Sequence, residues 1–266
     1  MNFRDWIKKP NNGDILVSIP HSQTSLPREL IPLVDQKQLE VTRKLVERHT
    51  DTLYDFQDFL YNKQVIFPYN RFYIDVNRCP HMVNESMPIH FVRDKGRDTP
   101  LYKENKTPSP QFRKELIAKY HDKYHAAIAN HKKSFIFDGH AMEANEPDEY
   151  GINNNARINI YSWQDPIGEF KTCPDALIET YANEVAKKLP KIKIAVNPRK
   201  FQNTYGHIMA YHGLNGVGPE GIQVPLILQE TDENLYLDGD KFDEETHETL
   251  RRAFAEALIV MSKRLA

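Results

Sequence analysis

Two histidines in this sequence follow apolar runs that are typical of buried strands. His21 comes directly after the run at 14–20, and His140 comes two residues after the run at 134–138. A strand fixes the residues at its carboxyl end on one edge of the sheet, so both imidazoles could face a single ion. Imidazole is a good zinc ligand, and a hydrolytic zinc site needs three protein ligands and a water. The pattern therefore indicates a zinc site that a carboxylate completes.

Several acidic residues compete for the place of the third ligand. Asp51 is the best placed, because it lies at the predicted start of a helix, and Glu47 and Asp55 are alternatives. The competing interpretation is that His21 and His140 are unrelated loop residues. The chain has 11 histidines, so two such positions arise easily by chance.

Polar residues also flank a short predicted strand at 72–76. Arg71 precedes it, and Asn77 and Arg78 follow it. A guanidinium group binds a carboxylate through two parallel hydrogen bonds, and an amide adds a further donor. The pattern is typical of a site for an acidic small molecule, although two ordinary surface salt bridges would explain the arginines as well.

One further acidic residue, Glu230, comes at the end of the apolar run 222–228. A carboxylate near a metal-bound water can take its proton and pass it to a leaving nitrogen. The alternative is a structural ion pair at the end of a strand.

Composition and charge exclude several classes of protein. A chain of 266 residues, 40% of them hydrophobic, is long enough for one large α/β domain, predicted to span 1–266. The net charge of −2 gives no support for binding nucleic acid or a membrane surface. The two cysteines form neither a disulfide framework nor a zinc knot. The N-terminus resembles no signal peptide, and no apolar run reaches the roughly 20 residues of a membrane span, so we expect a cytoplasmic protein.

Apolar, strand-like runs alternate with helical patterns along the chain. The predicted strands lie at 14–20, 64–68, 72–76, 134–138, 158–163, 192–196, 207–211 and 224–229. The predicted helices lie at 36–61 with a break near 49–51, at 111–132, at 175–188 and at 243–265. The stretch 79–110 predicts a long surface excursion. This alternation predicts a three-layer α/β/α sandwich with a mostly parallel or mixed central sheet.

Seven motifs occur in an order that resembles the N-formylglutamate amidohydrolase family. They are SIPHS (18–22), HTDTLYDF (49–56), NRFYIDVNRCP (70–80), KYHAAI (123–128), FIFDGH (135–140), GHIMAYHG (206–213) and QETDENLY (229–236). The resemblance runs from about residue 14 to 237 and is specific in its ordered combination rather than in one motif. It implies the α/β/α sandwich with a mixed central sheet that zinc carboxypeptidase-like hydrolases share.

The resemblance also implies a role for individual residues. The implied metal ligands for Zn²⁺ are His21, Asp51 and His140. Arg71 would polarise the scissile carbonyl, and Glu230 would carry the proton. The implied substrate contacts are Asn77, Arg78, His125 and His207, with packing in the interior as the alternative for His125.

The implied activity is hydrolysis of a small-molecule N-acyl acidic amino acid, with formate from N-formyl-L-glutamate the first expectation. Three residues near the expected pocket depart from the family pattern: Gln23 and His207 replace glycine, and Ala141 replaces serine. They leave the acyl group and the amino acid open. The alternatives are therefore a zinc carboxypeptidase, a deacylase of different acyl specificity, or a non-catalytic protein that binds an acidic small molecule.

Overall fold

The secondary structure is taken from a computed structural model. It describes residues 15–60, 62–80, 91–94, 97–142, 155–163, 171–197, 206–216, 218–219 and 223–265. For the strand residues within 91–99, only the backbone is described. The strands are β1 (Ile15–Ile19), β2 (Asn62–Ile66), β3 (Phe91–Asp94), β4 (Arg97–Pro100), β5 (Phe135–Met142), β6 (Ile158–Tyr161), β7 (Ile194–Val196), β8 (Leu226–Asp232), β9 (Leu237–Asp238) and β10 (Lys241–Phe242). The helices are α1 (Gln36–Lys44), α2 (Thr50–Leu53), α3 (Pro110–Leu116), α4 (Asp122–Asn130), α5 (Asp175–Lys188), α6 (His207–His212) and α7 (Glu244–Ser262).

Six strands form the central sheet, in the order β2-β1-β5-β8-β6-β7. β1 runs parallel to β2 and β5, and β8 runs parallel to β5. β6 runs antiparallel to β8 and parallel to β7. The sheet is therefore mixed, which confirms the predicted sheet type.

Both faces of this sheet are covered by helices. Val17, Phe137 and Ile227 pack in one buried cluster with the apolar faces of α5 and α7. Leu16 and Ile136, on the opposite face, pack with residues of α1, α3, α4 and α6. Because successive side chains of a strand point to opposite faces, a sheet covered on both sides needs continuous apolar runs such as the one in β5. The predicted three-layer sandwich is confirmed.

One helical segment runs without a break through α3, a π-helical turn (Ile117–His121) and α4. Its apolar residues recur every four positions, at Phe112, Leu116, Tyr120, Tyr124 and Ile128. A step of four residues advances about 40° beyond a full α-helical turn, so such a stripe would wind around a regular helix. A π turn takes up more residues per turn. It thereby keeps the stripe on the buried side of the helix.

The strand predicted at 207–211 is wrong, because these residues form α6. Ile208, Met209 and His212 are the buried residues, which is helical spacing. The start of the helix is stabilised from far along the chain: the backbone N–H groups of His207 and Ile208 donate to the carbonyl and side-chain oxygens of Asn77, at 3.0 and 3.1 Å. Such a distant cap leaves no local signal in the sequence.

The strand predicted at 72–76 is also wrong, since these residues form turns. The side-chain oxygen of Asn70 accepts from Phe72 N at 2.9 Å, and that of Asp75 accepts from Asn77 N at 2.8 Å. Short polar side chains that bond to nearby backbone groups compete with a strand ladder.

The predicted surface excursion at 79–110 is partly packed. β3 and β4 pair antiparallel, and Leu101 and Tyr102 are buried. Residues 81–90 lie outside the described part. Within the described residues, the structure has no helix with the length and apolar character needed to cross a bilayer.

Candidate metal centre

The polar residues of this centre lie at the carboxyl ends of three neighbouring parallel strands, β1, β5 and β8. On one face of each strand, apolar side chains give way to polar ones toward that end. The residues on this face are Leu16 and Ser18 of β1, Ile136, Asp138 and His140 of β5, and Leu228 and Glu230 of β8. The register pairs Ser18 with Asp138 and His140 with Glu230, so these polar groups are neighbours across the sheet.

Three buried residues, His21, Glu47 and His140, have ligand atoms that all lie within 4.8 Å of one another. Glu47 Oε1 lies 2.6 Å from His21 Nδ1, and Glu47 Oε2 lies 3.2 Å from His140 Nδ1. The two imidazole rings meet edge to face, with centroids 4.9 Å apart. Two imidazoles and one carboxylate are a donor set that catalytic zinc sites use.

Each of these two rings also faces a carboxylate with its other nitrogen. His21 Nε2 lies 2.8 Å from Asp75 Oδ1, and His140 Nε2 lies 3.2 Å from Asp138 Oδ2. A neutral imidazole has one N–H, and a carboxylate can only accept a hydrogen bond. Each ring faces two carboxylates, so one of its two nitrogen–oxygen contacts has no proton. A cation between Glu47 and the two Nδ1 atoms resolves this, because each Nε2–H then donates to its carboxylate. The residues present therefore fit a zinc ion.

The protonation of the centre follows from the same contacts. Burial is the largest effect on the pKa of Glu47 and raises it, but the charges of His21 and His140 hold that pKa well below its usual range. Burial lowers the pKa of His140, but the carboxylates of Glu47 and Asp138 raise it well above its usual value. Both pKa directions favour a positive charge between Glu47 and the two rings.

The turn after α1 positions Glu47. Its backbone N–H donates to the His21 carbonyl at 3.2 Å, and Ala141 N donates to Glu47 Oε2 at 3.1 Å. His49 follows with a φ of 61°, a left-handed conformation that few residues other than glycine adopt. This turn ends at α2 and leaves the Glu47 carboxylate between β1 and β5.

Asp51 does not join the two imidazoles, so its prediction as the third ligand disagrees with the geometry. It lies on α2, whose buried residues are Thr50 and Leu53. Its carboxylate accepts a hydrogen bond from Gln23 Nε2 at 3.0 Å. Glu47, the predicted alternative, takes the position beside the imidazoles.

Arg71 and Arg78 lie beside the carboxylates of the centre. Arg71 donates to Glu47 Oε1 at 2.7 Å, and its second nitrogen is 3.6 Å from Asp75 Oδ2. The Arg78 Nε atom is 4.0 Å from the same Asp75 oxygen, and its side chain is 39% exposed, against 25% for Arg71. Arg78 is therefore the more accessible of the two for an anionic ligand.

Asn77 is buried, and its side-chain amide lies between His140 and the start of α6. Its nitrogen lies 3.3 Å from His140 Nε2, and its oxygen accepts from Ile208 N at 3.1 Å. The side chain thus joins the metal centre to the start of α6.

Glu230 lies beside His140 in the β5–β8 register. Burial raises the pKa of Glu230 to about 8; the charge of His140 opposes this increase and that of Glu47 adds to it. A carboxyl group whose pKa lies near neutrality can both accept and return a proton at working pH.

Gly139 sets the distance between β5 and the ring of Tyr54. A Cβ atom at this position would lie 2.4 Å from Tyr54 Cδ2, closer than real Cβ atoms approach. The Tyr54 hydroxyl donates to the His140 carbonyl at 2.7 Å and contacts Thr231 Oγ1 at 2.8 Å. The absence of a side chain at Gly139 therefore lets Tyr54 fix the backbone of His140.

His125 and His207, which the sequence predicts as substrate contacts, lie outside the group around Glu47. They form a second group with His121, and the ligand atoms of these three residues also lie within 4.8 Å of one another. Burial is the main reason that the pKa of His125 is well below its usual value, and the charges of His121 and His212 lower it further.

The carboxylates behind the two rings were not predicted. Asp138 has a signal in the sequence, because residues two apart on a strand share a face, so Asp138 and His140 belong together. Asp75 has no such signal, since it reaches His21 from a turn.

The chain is similar to proteins of a known family. Residues 13–236 match the family model described as N-formylglutamate amidohydrolase. An N-formylglutamate deformylase of Pseudomonas aeruginosa is 29% identical over 150 residues, which are 50% of this chain and 53% of that protein. The match therefore spans about half the length of this curated relative.

Two solved structures share the fold. The N-formylglutamate amidohydrolase of Ralstonia eutropha JMP134 superposes with a TM-score of 0.67 at 19% identity, covering 94% of this chain and 93% of that one. A gene product of Agrobacterium tumefaciens superposes with a TM-score of 0.57 at 15% identity, covering 95% and 90%. Because the family model matches most of the chain, from residue 13 to residue 236, this protein belongs to the N-formylglutamate amidohydrolase family.

Proposed function

We propose that this protein is a zinc-dependent amidohydrolase that releases formate from N-formyl-L-glutamate. The observation that carries the proposal is the pair of buried imidazoles, His21 and His140, which both turn Nδ1 toward Glu47 and Nε2 toward another carboxylate. Family membership supports the formyl group and the acidic amino acid as the substrate class.

His21, Glu47 and His140 are the proposed zinc ligands, with Asp75 and Asp138 holding the two rings. When bound, zinc supplies Lewis acidity and lowers the pKa of a water from about 15.7 toward about 7. Ser18 Oγ donates to Asp138 at 2.7 Å and so fixes the carboxylate that orients His140.

Glu230 is the proposed proton carrier, because it lies next to His140 on the same face of the sheet. It takes a proton from the attacking water while the water oxygen bonds to the formyl carbon. It then gives that proton to the amide nitrogen as the carbon–nitrogen bond breaks. The second proton of the water passes from the new carboxyl group to the amine, so the products are formate and glutamate with a protonated amine, and atoms and charge balance with one water consumed.

Arg78 is the proposed contact for the substrate carboxylate, since it is the more exposed of the two arginines. Arg71 is proposed to polarise the scissile carbonyl while it holds Glu47. Asn77 is proposed as a support rather than a direct grip, because its amide oxygen already accepts from Ile208 N and its nitrogen faces the ring of His140.

The test is formate release by the purified, zinc-loaded protein from N-formyl-L-glutamate. The N-acetyl and N-succinyl derivatives of glutamate and aspartate and a short peptide serve as competing substrates. We expect the formyl compound to have the highest kcat/KM. Faster release of acetate or succinate would make the protein a different deacylase, and release of a C-terminal residue would make it a carboxypeptidase. Binding of the acidic compounds without any turnover would make it a non-catalytic binding protein.

A further inference from the structure

A second group of imidazoles lies beside the segment that carries Arg78. Its members are His121 at the end of the π turn, His125 one turn further along α4, and His207 at the start of α6. The ring centroid of His125 lies 4.5 Å from that of His121 and 4.8 Å from that of His207. No residue of this group belongs to the group around Glu47.

Each of these histidines holds one of three successive backbone carbonyls. The Val76 carbonyl lies 2.9 Å from His125 Nε2, and the Arg78 carbonyl lies 3.1 Å from His121 Nε2. The carbonyl between them, that of Asn77, accepts from the backbone N–H of His207 at 3.0 Å. The three histidines therefore converge on one short segment.

These contacts assign the tautomers of two rings. A carbonyl oxygen only accepts, so Nε2 carries the proton in both His121 and His125. The Nδ1 atom of each neutral ring then presents a lone pair. His121 Nδ1 lies 3.2 Å from a carboxylate oxygen of Asp122, which likewise has no proton to give.

A proton of His212 occupies the lone pair of His125 in the metal-free protein. His125 Nδ1 lies 3.0 Å from His212 Nε2, and since the His125 atom is the acceptor, His212 Nε2 is the donor. His212 Nδ1 is then an acceptor as well, and it is buried without a hydrogen-bond partner among the described residues. Among the described residues, His121 Nδ1 and His212 Nδ1 are therefore acceptors that face no proton.

We propose that His121, His125 and His207 bind a second divalent transition-metal cation, of the zinc class, through their imidazole nitrogens, and that the cation replaces the N–H of His212 at His125 Nδ1. Three imidazoles are an established donor set for zinc, with nitrogen–zinc distances of about 2.0–2.1 Å. A tetrahedral arrangement at that distance brings the nitrogens to about 3.4 Å apart, so small rotations of the rings close the site. Metal-binding histidines commonly donate their other N–H to a backbone carbonyl, as His121 and His125 do here.

Occupancy of this site is coupled to the segment 76–78. A bound cation orients the rings that hold the Val76 and Arg78 carbonyls and so limits the motion of the backbone on either side of Asn77.

Metal stoichiometry tests the proposal. The whole protein is stripped with a chelator, loaded with Zn²⁺ or Co²⁺, desalted and measured by elemental analysis. We expect about two ions per chain. The variant His21→Ala/His140→Ala is expected to keep the ion of the second group, and His207→Phe is expected to keep the ion of the first.

Further variants keep this test independent of folding. His121→Gln alters the same group at a different element, and His131→Phe changes a histidine that belongs to neither group. Circular dichroism establishes that each variant is folded. Two ions in His131→Phe and one in both His121→Gln and His207→Phe support the site.

Three results would overturn the second site: one ion in the wild-type chain, no ion in His21→Ala/His140→Ala, or two ions in His207→Phe. A single ion together with full formate release would remove the second site and leave the proposed function intact. Two bound ions without formate release would leave the second site intact and contradict the proposed function.

Discussion

At the residue scale, substitutions of Glu47 and Asp51 are expected to affect metal binding differently. Glu47→Gln removes the carboxylate between the two imidazoles, whereas Asp51→Asn changes a side chain bonded to Gln23. Loss of a residue that only supports a metal ligand weakens metal binding by about 10–100-fold. Glu47→Gln removes a proposed ligand, so we expect a larger loss of zinc affinity. Asp51→Asn is expected to bind zinc as the wild type does. Zinc titration in the His207→Phe background measures the first site alone, and a reversed order of the two variants would restore Asp51 as the ligand.

Glu230→Gln separates proton transfer from metal binding. Glutamine keeps the size of the side chain but cannot carry the proton, so we expect kcat to fall by about 10²–10⁴-fold. The zinc content of the first site is expected to stay unchanged, since Glu230 is outside the group of ligands. Steady-state formate release and elemental analysis of the same sample give both quantities. A variant with wild-type turnover would assign the proton to another group.

Arg78→Lys tests the contact with the substrate carboxylate. Lysine keeps the charge but loses the two-pronged geometry. We expect KM for N-formyl-L-glutamate to rise by about 10-fold or more, the loss of one charge-assisted hydrogen bond, with a smaller change in kcat. Arg43→Lys is the control, because Arg43 pairs with Glu40 on the surface of α1. Equal KM values in the two variants would contradict the proposed grip.

The third proposed ligand cannot be chosen from the sequence alone. His21, His140 and Glu230 were predicted because each follows an apolar run, and the end of a buried strand has one place on the sheet. The choice between Glu47 and Asp51 depends on which way a turn of five residues points its side chains. That direction follows from the left-handed backbone of His49 and from the bond between Ala141 N and Glu47, neither of which leaves a pattern in the sequence.

At the element scale, β5 depends on a glycine that is not in a turn. Gly139→Ala places a methyl group against the ring of Tyr54, which is itself fixed by bonds to the His140 carbonyl and Thr231. We expect the free energy of unfolding to fall by about 1–3 kcal/mol, as overpacked cores do. Urea denaturation measures it. In Gly139→Ala/Tyr54→Leu the clash partner is gone, so the two effects should be less than additive; full additivity would mean that Tyr54 is not the cause.

The sequence predicts the elements whose apolar pattern lies within their own residues. It does not predict those that depend on contacts with residues far away in the chain. The stripes of α5 and α7 and the runs of β1, β5 and β8 are periodic in the sequence itself. The sequence of α6 predicts a strand, because the contact that caps its first N–H groups comes from Asn77, 131 positions away in the chain. The π turn does have a signal in the sequence, since the four-residue spacing of the apolar stripe departs from 3.6 residues per turn.

At the scale of the whole molecule, the proposed metal centre joins three separate parts of the chain. His21 follows β1, Glu47 follows α1, and His140 belongs to β5. A cation that binds all three binds the folded chain and not the unfolded one, so it stabilises the fold by mass action. The same reasoning explains why the sequence cannot reveal the site directly, since the ligands become neighbours only when the sheet has formed.

Removal of the metal should therefore lower the thermal stability of the entire chain. At a free zinc concentration of about 100 times Kd, binding contributes about 2.7 kcal/mol. For a protein of this size that corresponds to a decrease in Tm of about 5–10 °C on chelation. Differential scanning calorimetry in the His207→Phe background measures the first site, and Glu47→Gln in the same background should show a much smaller decrease. An equal decrease in both variants would mean that the stabilising ion binds somewhere other than between His21, Glu47 and His140.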